Sequence, residues 1–136
     1  NYLYILNEMM SNTYNEDFIS YNSPTALSIK NKLTKKYAIK SGSTNNDYWL
    51  VGYNPDVMMM VWTGEDNNKD VESNYSKITK NIWADTVESI LEGKEEIWYE
   101  QPQNVDALYL DAVTGEYTTQ DNGSLFYFLK GTEPVN

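Results

Sequence analysis

Five consecutive residues, Lys40-Ser41-Gly42-Ser43-Thr44, bring together what is needed to hold a small anion. Lysine supplies a fixed positive charge. The hydroxyls at 41 and 43 flank a glycine, so two hydroxyls and a backbone N–H can face one ligand through charge-assisted hydrogen bonds. Gly42 lets a substrate backbone approach closely. A backbone N–H in the same place can stabilise the oxyanion of an acyl transfer. The same residue types also make a solvated turn between two strands, and the segment alone leaves both readings open.

Composition narrows the chemistry. The 136 residues contain no cysteine and no histidine. Disulfides, thiolate metal sites, Ser-His and Cys-His dyads and most zinc sites are thereby excluded. Catalysis must use lysine, carboxylates, hydroxyls or tyrosine. The net charge of −10 and pI near 4.3 repel a nucleic-acid backbone and disfavour an anionic membrane surface. Glu65, Asp66, Asp70 and Glu72 do not follow the D-x-D-x-D-G calcium spacing and read as a solvated acidic loop.

The elements that must position the segment follow from periodicity. Twelve tyrosines and four tryptophans argue for a packed core, and the length suits one modest domain. Tyr2, Leu3, Leu6, Met9 and Met10 have helical spacing, predicting a helix from Asn1 to about Met10 with these residues on its buried face. Residues 11–27 read as loop with a turn of helix, and Ala26–Leu33 as a short helix or irregular segment. Tyr37–Ser41, Tyr48–Tyr53 and Val57–Thr63 read as strands. Asn54-Pro55-Asp56 makes a hairpin of the last two. The near-continuous apolarity of Val57–Trp62 predicts a strand covered on both faces, with Met58-Met59-Met60 buried. Trp49 and Trp62 read as core or sheet-face packing, and Asp47 as a residue orienting the loop after the lysine-serine-glycine strand. From Ser76, the apolar positions Ile78, Ile82, Trp83, Val87, Ile90 and Leu91 predict an amphipathic helix with Gly93 as its C-cap. Ala107–Leu110 and Leu125–Leu129 are further strands, with turns at Thr114-Gly115 and Asn122-Gly123. No apolar run approaches the roughly 20 residues needed to cross a bilayer, and no signal peptide is visible. The opening at Asn1, directly into an amphipathic pattern, is what an excised fragment shows.

Several segments occur in the order and spacing of a known family. Residues 40–55, from Lys40-Ser41-Gly42-Ser43-Thr44 through Asp47-Tyr48-Trp49 to Gly52-Tyr53-Asn54-Pro55, resemble the KTG strand and following hairpin of penicillin-binding proteins. Val61-Trp62-Thr63-Gly64 resembles the V-W-x-G ending the next strand. Lys130-Gly131-Thr132-Glu133-Pro134 resembles the K-G-T-E-P that follows the transpeptidase domain of class A, bifunctional members. Serine stands for threonine at 41 and 43, keeping both hydroxyls.

The resemblance implies an α/β fold of the serine β-lactamase/D,D-transpeptidase type, an antiparallel sheet packed by helices, present as an incomplete fragment. Residues 1–98 would be the C-terminal half of the transpeptidase domain and 99–136 a C-terminal extension with short strands. Lys40 would supply positive potential to a substrate or β-lactam carboxylate and to the proton network. Ser41 and Ser43 would bind that carboxylate, the Ser43 N–H would form half of the oxyanion hole, Gly42 would give clearance, and Thr44 would line the rim. The partners implied are a peptidoglycan stem peptide, β-lactams and the upstream remainder of the domain. No cofactor or metal is implied, and no nucleic acid. The implied location is the outer face of the bacterial cytoplasmic membrane, with the anchor outside this chain. The family's S-x-x-K nucleophile motif occurs nowhere in the chain. Ser20-Tyr21-Asn22 matches S-x-N but sits too close to the KTG-like strand, as a chance match would. The chain alone is therefore expected to be inactive, and to associate through an exposed sheet edge and cleft wall. A non-catalytic module on the same scaffold and a β-lactamase-like hydrolase are the rival readings.

Overall fold

The computed structural model describes residues 1–20, 22–65, 67, 69–72 and 74–135. Strands β1 (Ala38–Ser43), β2 (Asp47–Tyr53) and β3 (Met58–Gly64) form an antiparallel sheet in that order. Asn54 sets the β2–β3 turn: its Oδ1 accepts from the N–H of Asp56 at 3.0 Å and of Val57 at 3.1 Å. Its own N–H donates to the Val57 carbonyl at 3.0 Å. An Asx side chain bonding the backbone ahead of it, followed by a proline that fixes φ, is the turn chemistry expected of this tripeptide. β1 runs two residues past the predicted Ser41. The lysine-serine-glycine-serine segment thus lies inside a paired strand, with Lys40 opposite Val51 and Ser43 opposite Tyr48.

Helix α2 (Tyr75–Ile90) covers one face of this sheet. Its buried stripe runs through Thr79, Trp83 and Val87 to Leu91 at four-residue spacing. Ile78, Ile82 and Ile90, predicted to join that face, flank it and are 44–52% exposed. The Trp83 indole seats on Gly52, where a side chain would collide with it, and its Nε1 donates to the Met59 carbonyl at 3.0 Å. Tyr37 meets the indole edge-on at 5.3 Å, and Ile29, Ile39, Leu50 and Val61 complete the core. The helix is capped by Leu91 and not by the expected Gly93, which at φ +73° sits in the following turn, closed by the Lys94 N–H donating to the Leu91 carbonyl at 3.1 Å.

Helix α1 (Tyr2–Ser11) lies against the opposite face at the Ala38–Tyr53 end, where the Tyr53 hydroxyl donates to Asn7 Oδ1 at 2.8 Å. The helix is where predicted, but its buried face is not. Tyr4, Asn7, Glu8 and Ser11 are buried, while Tyr2, Leu3, Leu6 and Met9 are exposed. The polar face can be inside because each member has a partner: Glu8 accepts from Lys36 Nζ at 2.5 Å and from Trp98 Nε1 at 2.6 Å. β3 also differs from expectation. Val61 is buried, but Met58, Met60 and Trp62 point to the other face and are 74%, 61% and 43% exposed. β3 is an outer strand, and among the described residues α1 covers only the far end of that face. Trp49 and Trp62 pack against each other there at 6.1 Å, on the sheet face and outside the core.

Beyond α2, β4 (Val105–Leu110) and β5 (Ser124–Leu129) pair antiparallel as a separate two-stranded sheet. Gly115, in the connection, has φ +76°, and Asp111 Oδ1 caps the turn before it by accepting from Val113 and Thr114 N–H. This sheet docks on α1 and on the turn at Glu16–Phe18: Tyr127 stacks edge-on with Tyr4 at 5.5 Å, and Phe126 with Phe18 at 5.4 Å. No helix among the described residues is long and apolar enough to cross a membrane.

Candidate functional site

The hydrogen-bond alternation of β1 decides which of its groups are available. The Thr44 N–H donates to the Asp47 carbonyl at 2.9 Å. In an antiparallel pair every second residue shares that orientation. Gly42 and Lys40 therefore direct their backbone groups at β2, and Ser43 and Ser41 direct theirs at the opposite edge, which is unpaired among the described residues. Along that edge the Ile39 carbonyl accepts from Thr13 Oγ1 at 3.2 Å, and the Ser41 carbonyl from Lys40 Nζ. The Ser43 N–H has no acceptor among the described residues.

Side chains alternate between the two faces. Ser41 and Ser43 point to the α2 side and border a cavity of about 190 Å³ with Thr25, Tyr48, Ser76 and Lys80. Lys40 points to the other face, into a groove of about 780 Å³ whose walls include Ile5 and Met9 of α1 and Phe126 and Phe128 of β5. The predicted residues are therefore adjacent in sequence and divided in space: hydroxyls on one side, the ammonium on the other, a free N–H between. A Cβ at Gly42 would meet only Trp49 Cβ at 3.7 Å, an ordinary contact. Nothing among the described residues requires glycine there, in contrast to Gly52.

Thr44 is engaged in the hairpin tip. Its hydroxyl donates to Asp47 Oδ2 at 3.0 Å and accepts from the Asn46 N–H at 3.1 Å. Asp47 Oδ1 accepts from Trp62 Nε1 at 2.7 Å, so this carboxylate does tie the loop after the strand to β3. Ser20 and Asn22 border the larger groove together with Lys40, but Tyr21 between them lies outside the described residues. Asp66 of the acidic loop lies outside them as well; Glu65 accepts from the Tyr75 hydroxyl at 3.1 Å, and no metal-capable cluster occurs among the described residues.

Sequence reading passed over Thr25, Ser76 and Lys80. The signal was present, since Ser76 and Lys80 are four apart and share one side of a helix. Only the seating of Trp83 on Gly52 turns that side toward β1. Burial pushes the Lys80 ammonium below its usual pKa.

Comparison with known proteins places this geometry. No family model matches the chain. Penicillin-binding protein 2D of Bacillus subtilis is 38% identical over 136 residues, covering 98% of this chain and 20% of the relative. Penicillin-binding protein 1A of Escherichia coli is 30% identical over 114 residues, covering 71% of this chain and 13% of the relative. The crystal structure of penicillin-binding protein 1A from Haemophilus influenzae superposes with a TM-score of 0.75 over 93% of this chain and 20% of that one; at 21% identity it speaks for the fold. The chain thus spans about one fifth of the length of the Bacillus subtilis relative. By sequence and by fold, it belongs to the penicillin-binding proteins.

Proposed function

We propose that the chain is the C-terminal part of a peptidoglycan D,D-transpeptidase domain and supplies one wall of its active site. The observation that carries this reading is the Ser43 N–H, directed at an open strand edge with two hydroxyls on one side and a lysine on the other. In this reading a serine from outside the chain attacks the carbonyl between the two terminal D-alanines of a stem peptide. The Ser43 N–H supports the oxyanion as one of two donors, a contribution worth about 10²–10³ in rate. Ser41 and Ser43 hydroxyls hold the terminal carboxylate, Lys40 supplies positive potential to that carboxylate and to the proton network, and Gly42 leaves room for the acyl chain. D-Alanine departs, and an acceptor amine takes the acyl group. β-Lactams acylate the same serine by ring opening.

The remaining assignments follow from that reading. Residues 1–98 form the C-terminal half of the domain, and 99–136 a C-terminal extension with short strands. The protein works on the outer face of the cytoplasmic membrane, held by an anchor outside this chain. The isolated chain is inactive, because no S-x-x-K occurs in its 136 residues. That same absence favours one second reading, a non-catalytic module that keeps the scaffold and the ligand-facing strand. Intact mass of the longer protein carrying this chain, after incubation with benzylpenicillin, separates the two. A gain of one drug mass, slowed about 10²-fold by Lys40→Ala at an unchanged melting temperature, supports the transpeptidase. No gain in the folded protein supports the non-catalytic module.

A further inference from the structure

The small cavity on the α2 side holds a cation that the strand motif does not include. Lys80 is half-buried in a chain with twenty carboxylates, yet it makes no ion pair and no hydrogen bond among the described residues. Five hydroxyls border the cavity with it, those of Ser41, Ser43 and Tyr48 from the sheet, Ser76 from its own helix and Thr25 ahead of β1, and Gly42 and Trp49 complete the lining. All ten basic residues of the chain are lysines, so what this chain offers an anion here is a point charge and not a guanidinium fork.

An ammonium only donates, and each hydroxyl can turn its O–H toward an acceptor, so this set suits a guest that accepts. About 190 Å³ accommodates a carboxylate with a few carbons. Position then selects which carboxylate. Ser43 carries both the free N–H at the strand edge and a hydroxyl in this cavity. In a peptide, a terminal carboxylate lies about one residue's length, ~3.8 Å, from the preceding carbonyl. A single strand residue therefore reaches both groups of a C-terminal dipeptide.

We propose that Lys80 is a second cation for the acyl donor's terminal carboxylate, gripping it from the helix while Ser41 and Ser43 grip it from the strand. The assignment rests on the transpeptidase reading above and adds a substrate-binding residue to it. Burial lowers the Lys80 pKa, which fits a charge stabilised by its ligand more than by the protein. It also divides the work: Lys40, on the other face, serves the proton network as well as the carboxylate, and Lys80 serves the carboxylate alone.

The test is the second-order acylation rate of the longer protein carrying this chain, measured with benzylpenicillin and with its methyl ester, which lacks the carboxylate charge. Lys80→Met should slow benzylpenicillin about tenfold, the worth of one charge-assisted hydrogen bond, and leave the ester within about twofold. Lys80→Arg should restore most of the loss. The melting temperature of Lys80→Met should stay level or rise, since a half-buried charge without a counter-ion is removed. Wild-type acylation with equal slowing of both ligands, or of neither, overturns the role of Lys80 and leaves the transpeptidase reading standing. No acylation of the wild-type protein overturns both.

Discussion

Gly52→Ala tests the joint on which the site geometry depends. An ideal Cβ at Gly52 lies 2.2 Å from Trp83 Cζ2, 2.8 Å from Cε2 and 2.9 Å from Cη2. Comfortable carbon contacts begin near about 3.5 Å, so something must retreat by roughly an ångström. Neither partner has room. β2 is bonded to strands on both sides, while Trp83 is fully buried, tied to the Met59 carbonyl and flanked by Tyr37. Alanine restricts the unfolded chain, which favours the variant by about 0.4–1 kcal/mol. Overpacking a rigid core costs about 1–3 kcal/mol, and an overlap this deep sits at the upper end, so the net loss should be about 2 kcal/mol. Urea unfolding followed by far-UV circular dichroism should show the midpoint falling with an unchanged slope. Trp83→Phe removes the ring portion that touches Gly52. In that background Gly52→Ala should cost less than half as much, a coupling of about 1–2 kcal/mol. Costs that add to within about 0.5 kcal/mol, or a neutral Gly52→Ala, would refute the seating of the indole on the glycine.

Two further perturbations reach other parts of the framework. Burial first, and then the Glu88 carboxylate at 2.8 Å, push the Tyr37 phenol well above its ordinary 10.0. For an acid with a raised folded pKa, stability is intact below the unfolded value and is lost as pH climbs past 10 toward the folded value. Tyr4, Tyr14 and Tyr127 are raised too, again with burial as the leading cause, so thermal melts from pH 8 to 12 should show a plateau and then a steep fall beginning near pH 10. Tyr37→Phe should be less stable at pH 8 and lose less between pH 10 and 12; a parallel profile would contradict this assignment. Asp47→Ala releases both the Thr44 hydroxyl and the Trp62 indole N–H at the hairpin tip. It should cost about 1 kcal/mol and raise hydrogen exchange at residues 44–46, and unchanged exchange would mean that backbone bonds alone hold the tip.

Much of this was legible in the chain and some was not, for identifiable reasons. The Asn54-Pro55-Asp56 hairpin was readable because its side-chain chemistry is local. Helix α2 was readable because four-residue spacing of large apolar groups needs no tertiary knowledge. The burial of β3 was misread because an apolar run looks the same whether a second layer covers it or not, and Met58 and Met60 face outward here. The face of α1 was misread because Glu8 and Asn7 can be buried only through partners at positions 36, 98 and 53, which no window along the sequence contains. Lys80 was missed for a related reason: it lies 37 residues beyond Ser43, and meets it only through the packing of a helix on a sheet.

The motif read as one cluster in sequence is three devices in space, and a strand is the element that separates them. Period-two alternation sends Ser41 and Ser43 to one face and Lys40 to the other, while bonding alternation leaves the Ser43 N–H on the edge between. A ligand lying along that edge meets a donor, two hydroxyls and two opposed cations without any of them contending for the same space. Such an arrangement is only as well placed as the strand, and β1 is held from both sides. Ile39 packs beneath it in the core with Trp83, and Thr13, just past α1, holds the Ile39 carbonyl from the edge. The buried Glu8 then links α1 to Lys36 at the entry to β1 and to Trp98 ahead of the second sheet. A buried carboxylate is costly unless its partners stay in place, so this junction resists the sliding of α1 along the strand. Exposed apolar residues on α1 and β3 do not weaken that hold, because the bonds that fix β1 run through the polar face of α1 and the covered face of the sheet.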